Sequence, residues 1–170
     1  MANTGKVAFP ILSELSSEGC EIDGYWADDA CIDENGKNLE AKKINQIKKD
    51  CKWQGLYFGG TAFKKQRVVL EDQYVNAAKY ASKFMDVVTT SGVATGKEAK
   101  ISKIQLFRSS IGDKPLALAS GITVDNAKNY SEVDCFMVAT GINYDDNFYE
   151  IDPMKLSKLL NVCRQIGKGE

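Results

Sequence analysis

The chain has 170 residues, 44% apolar and 26% charged, with 22 basic against 23 acidic side chains and a net charge of −1. That is enough for one α/β domain, 1–170, with a substantial core. The charge balance offers no basic face for nucleic acid, and no apolar run is long enough to span a membrane. There is no histidine, which excludes Ser-His-Asp and Cys-His catalysis and His-ligated zinc.

In chain order, Met1 to Lys6 lead into no signal-peptide-like run, and the apolar segment Val7 to Leu12 reads as a first strand. A second strand is expected over Ile22 to Trp26, then a turn at Asn35-Gly36 and a helix from Leu39 to Lys49. From Cys51 onward a unit repeats: a short continuous apolar run, a Gly/Ser/Thr turn and an amphipathic stretch. The runs are Trp53 to Phe58, Met85 to Thr89, Leu116 to Ala119 and Cys135 to Ala139. Apolarity on consecutive positions marks strands covered on both faces, as in parallel sheets. Between them, Val75, Ala78, Ala81 and Phe84 share one helical face, as do Ile101, Ile104, Phe107 and Ile111. Asp152-Pro153 supplies N-cap and first position of a terminal helix marked by Leu156, Leu159, Leu160 and Cys163. The repetition predicts an incomplete TIM-type (β/α) barrel of parallel strand–helix units, with an open doubly wound parallel sheet as the alternative. An unclosed barrel leaves two strand edges open, so a homo-oligomer is expected.

Five cysteines, scattered and without a C-x-x-C pair, read as reduced thiols of a cytoplasmic chain. No metal or cofactor motif is present. In parallel α/β folds the functional loops follow the strands' C-terminal ends. The strongest pair here is Ala119-Ser120-Gly121-Ile122-Thr123 and Ala139-Thr140-Gly141-Ile142-Asn143. In barrels the loops after the last two strands often bind phosphate, since glycine lets backbone N–H groups approach the oxygens. Ser120, Gly121, Thr140 and Gly141 are therefore expected phosphate contacts, although such glycines also serve tight turns. Asp125 and Asn126 would cap a following short helix aimed at the anion.

The stretch Gly92 to Lys97 resembles a Walker A loop but fails as one. Three residues separate Gly92 from Gly96, and Glu98 stands where Ser or Thr should meet magnesium. Ser91, Thr95 and Gly96 remain candidate ligand contacts in a polar loop. Lys64, Lys65 and Arg67 form a basic cluster, with Lys65 the expected anion contact. Asp28 and Asp29 follow a strand directly and are the candidate catalytic pair, able to bind a metal or a ribose or to supply a general base, although without a third acidic partner a solvated loop or helix cap is the favoured reading. Asp145-Asp146 and the aromatics Phe148 and Tyr149 read as a surface loop.

The run Met85 to Gly96, ending Gly92-Val93-Ala94-Thr95-Gly96, resembles the strand and loop of the BtpA family. The order of features that follows is also similar: a helix, Pro115 to Asn126 with its Ser120-Gly121-x-Thr123, a strand ending Ala139-Thr140-Gly141, and Asp152-Pro153. The resemblance spans Ile22 to Arg164. It implies a TIM barrel with a phosphate, nucleotide or sugar ligand at its C-terminal face, in a family tied to photosystem I biogenesis, nucleosidases and sugar operons. Against a barrel of about 250 residues, the first two or three strand–helix units have no counterpart here. The family's Lys-His-Ala segment is replaced by Phe63-Lys64-Lys65-Gln66, and Asn143 stands where it has a Lys. The expected function is binding of a nucleotide, nucleoside or sugar phosphate, with nucleosidase-like cleavage of a glycosidic bond as its catalytic form. The alternative is a non-catalytic binding module or assembly factor.

Overall fold

The computed structural model describes residues 4–167; the leader reading at Met1 to Asn3 lies outside the described residues. Helix α1 spans Gly5–Ser17 and leads to β1, Gly24–Ala27. Helix α2 (Leu39–Cys51), β2 (Leu56–Gly60), α3 (Tyr74–Ala81), β3 (Val87–Thr90), α4 (Ile101–Ser110) and β4 (Leu116–Ala119) then alternate. A four-residue 3₁₀ turn, Ala127–Tyr130, precedes β5, Cys135–Met137. A hairpin of β6 (Asn143–Tyr144) and β7 (Asn147–Ile151) leads into α5, Pro153–Ile166.

The five principal strands are all parallel and lie in sequence order, β1 to β5. Right-handed crossovers that always step the same way put every helix on one side of the sheet. A doubly wound sheet reverses direction at a switch point, and this one does not. The result is a curled half-barrel.

Register fixes which side chains face the helices. Tyr25 pairs with Tyr57, and both rings pack on Phe9 of α1, at 5.7 and 5.1 Å. Trp53 stacks on Phe9 at 5.6 Å, so one phenyl ring anchors α1 to two strands and a loop. Following that face across the ladder gives Val88, Leu116 and Leu118, all fully buried. Alternate residues, Trp26, Phe58, Thr89, Ala117, Ala119 and Met137, line the concave side. No helix among the described residues is long and apolar enough to cross a membrane.

The structure corrects the sequence reading in four places. Val7 to Leu12 is helical, not a strand. Gly5, Ala8 and Phe9 are buried and Leu12 packs beside them at helical spacing, while Val7 and Ile11 are exposed and masked that period. Gly59 and Gly60 belong to β2 rather than to a turn, pairing with Val88 and Thr89 of β3, and glycine is required at 60 because a Cβ there would sit 2.0 Å from the carbonyl oxygen of Asp28. Residues 143–151 form a hairpin with Asp145-Asp146 at its tip. The expected helix behind Asp125 and Asn126 is only the 3₁₀ turn, and neither caps it. The Asp152 cap is present: its carboxylate accepts from the N–H groups of Met154 and Lys155.

Candidate functional site

A cleft of about 380 Å³ opens over the C-terminal ends of the strands. Its wall is built from the loops after β3, β4 and β5, with Trp26 of β1 and Lys64 from the loop after β2. Thr95, Gly96, Ser120, Gly121 and Thr140, spread over 46 residues of chain, all line it. The sheet brings them together because strands β3, β4 and β5 are consecutive neighbours whose loops leave the same edge.

Two glycines set how closely these loops pack. Gly121 has φ +70, and a Cβ there would lie 2.3 Å from the backbone nitrogen of Glu98. A Cβ on Gly141 would lie 1.9 Å from the carbonyl oxygen of Ile122. Gly141 is thus a spacer between two loops and lies outside the cleft's lining, whereas Gly121 is both spacer and wall. Among the described residues the N–H groups of Gly121, Thr140 and Gly141 donate to no protein acceptor.

The hydroxyls divide into free and occupied. Ser91 is fully buried and outside the cleft. Its Oγ donates to the carbonyl of Gly92 and accepts from the N–H of Lys64, each at 2.8 Å, so this expected ligand contact has its hydroxyl engaged within the protein. Ser120 lines the cleft in an unusual backbone state, φ 132. Its Oγ accepts from the N–H of Gly92 at 3.2 Å and donates to the carbonyl of Lys97 at 3.1 Å, tying two loops together. Thr95 and Thr140 are exposed at the rim, with Gly96 packed near Thr140. Asn126 secures the β4 loop by donating to the carbonyl of Gly121 at 2.7 Å while accepting from the N–H of Thr123 at 2.9 Å.

The cation in the cleft is Lys64, not Lys65. Lys65 is exposed and pairs with Asp28 at 3.4 Å. Lys64 has no ion-pair partner among the described residues, and its ammonium sits 5.7 Å from the Phe63 ring centre. Partial burial, reinforced by neighbouring Lys65 and only partly offset by the charge of Asp28, pulls its pKa below the usual lysine value. Asp28 and Asp29 also lie outside the lining. Asp29 accepts from the N–H of Cys31 at 2.7 Å, a local turn contact. One oxygen of Asp28 faces Lys65, and the other is buried without a hydrogen-bond partner. Arg67 reaches away to Glu34.

Lys103 of α4 gave no sign of its role in the sequence. Its ammonium is buried and donates to the carbonyls of Ala62 and Ser91 at 2.7 and 2.8 Å, over the ring of Tyr74 at 5.0 Å. Burial pushes its pKa down to about 8. It clips the β2 and β3 loops together, and through Ser91 it fixes the backbone of Lys64.

Among the described residues no three acidic, thiol or imidazole groups are placed to hold a metal. All five cysteines are unpaired.

No family model and no curated protein matches this chain.

Proposed function

We propose that the chain binds a phosphorylated small molecule, a nucleotide, nucleoside or sugar phosphate, in the cleft over β3, β4 and β5. One observation carries this reading: Thr95, Gly96, Ser120, Gly121 and Thr140 converge from three loops on a cleft in which Lys64 is the one charged wall residue among the described residues. A half-buried ammonium with no carboxylate in direct contact among the described residues is stabilised by an added anion, and charge-assisted hydrogen bonds to phosphate are stronger than neutral ones. The placement, over the last parallel strands, is where barrels hold phosphate.

Binding without turnover fits the wall best, since the described residues that line it include no carboxylate and no thiol. A second reading, cleavage of a glycosidic bond, rests on Asp28, one of whose carboxylate oxygens is buried without a hydrogen-bond partner. In that case Asp28→Asn lowers turnover of a nucleoside phosphate by about two orders of magnitude or more. The unpaired thiols support a cytoplasmic location. The outer edges of β1 and β5 support self-association, to be read by light scattering as a mass above that of one chain.

Titration calorimetry with inorganic phosphate tests the reading. Lys64→Gln is expected to weaken binding about tenfold, a charge-assisted bond's worth, and Lys65→Gln to leave it within about twofold. Equal effects, or no heat from the wild type, overturn it.

A further inference from the structure

Trp26 stands apart from its surroundings. Its neighbours Tyr25 and Ala27 face the helices, so the indole points into the concave side, where it lines the cleft. The facing strand residues Thr89, Ala117 and Ala119 are buried, yet Trp26 is 40% exposed. A single ring braces it: Phe63, 5.7 Å away and tilted by 59°. Phe63 is itself buried and also carries the ammonium of Lys64 at 5.7 Å from its centre. Indole and ammonium therefore flank one ring and cannot be further apart than twice that distance. Across the cleft, at the β4 and β5 end of the sheet, the wall includes the apolar residues Ala119, Ile122, Met137 and Val138.

A bare phosphate or a ribose phosphate uses the cation and leaves the indole and the apolar wall wet. A molecule with an anion at one end and a flat aromatic ring at the other satisfies both. Aromatic side chains hold bases by stacking whatever the base, because every base has a π-face. We infer that the cleft selects a nucleoside monophosphate, with its base stacked on Trp26 and its phosphate at Lys64. The inference rests on the anion-binding reading above and narrows it to one ligand class.

Calorimetric titrations with inorganic phosphate, ribose 5-phosphate and adenosine 5′-monophosphate separate the two claims. In the wild-type protein the nucleotide is expected to bind about tenfold or more tightly than ribose 5-phosphate, the usual contribution of one stacked base. In Trp26→Leu the nucleotide falls to the level of ribose 5-phosphate, while inorganic phosphate is unchanged. Trp26→Phe, which keeps an aromatic face, restores most of the difference. If the two organic phosphates bind the wild type equally, the stacking inference fails and the anion site stands. If none of the three binds, the anion-binding reading itself fails. The wild-type comparison decides even where Trp26→Leu does not fold.

Discussion

Lys103→Met removes a buried charge whose cost can be worked out. The ammonium's pKa falls from an ordinary 10.5 to about 8 because burial disfavours the charged form. At roughly 1.4 kcal/mol for each tenfold in proton affinity, the fold carries about 3 kcal/mol against itself while Lys103 is charged. The two carbonyl bonds favour the charged form, so this is an upper value. Between pH 8 and 10.5 the unfolded chain binds the proton and the folded chain has shed it, so stability from this group rises with pH. It is fully present above the unfolded pKa and lost as pH falls through about 8. Burial raises the pKa of Cys31, Cys135, Tyr57 and Tyr130, which works in the opposite sense over the same range. The variant shares those groups, so they cancel in the difference. Urea unfolding of wild type and Lys103→Met at pH 7 and pH 10.5 is the assay. At pH 7 the variant gains the desolvation term of about 3 kcal/mol but leaves two carbonyls unsatisfied, about 1 to 3 kcal/mol each, so it falls between about 1 kcal/mol more and about 3 kcal/mol less stable than the wild type. At pH 10.5 the wild type should gain up to about 3 kcal/mol relative to the variant. A difference that stays flat with pH, or falls, refutes the reasoning.

Gly121→Ala drives a Cβ into the backbone at Lys97–Glu98 and is expected to cost about 2 to 4 kcal/mol by thermal unfolding, so it is not a clean probe of ligand binding. Gly96→Ala, whose Cβ would meet only Thr140 at 3.9 Å, should cost about 1 to 2 kcal/mol for its positive φ alone. Asp152→Ala removes the α5 cap and should lower stability by about 1 kcal/mol in urea unfolding. Asp29→Ala should leave phosphate affinity unchanged in calorimetry, because its carboxylate is engaged with the N–H of Cys31 outside the cleft.

The parallel strand–helix order could be read from the chain because continuous apolar runs and helical periods are local signals. Leu116 to Ala119 and the Asp152-Pro153 helix start appear as expected. The α1 segment was not legible, since exposed Val7 and Ile11 give an apolar run in which the period set by Gly5, Ala8 and Phe9 disappears. The small residues of the cleft could be found from their position after strands. Their division of labour could not. Ser91 and Thr95 look alike in sequence, and only packing shows that one hydroxyl is spent inside the protein. Lys64 and Lys65 are adjacent and chemically identical, so the choice between cleft and Asp28 is made by the loop's course after β2. Lys103 sits beside Ile104 on a helix whose expected apolar face includes Ile101. The structure instead exposes Ile101 by 46% and turns the lysine inward to meet two carbonyls, contacts no local pattern encodes.

A crystal structure of the protein soaked with inorganic phosphate tests the central claim most directly. The anion is expected in the cleft within hydrogen-bond reach of the Lys64 ammonium, with the Gly121 and Thr140 loops around it, and absent from Lys64→Gln crystals treated identically. Phosphate bound elsewhere, or an empty cleft at a concentration that saturates binding in solution, contradicts the account.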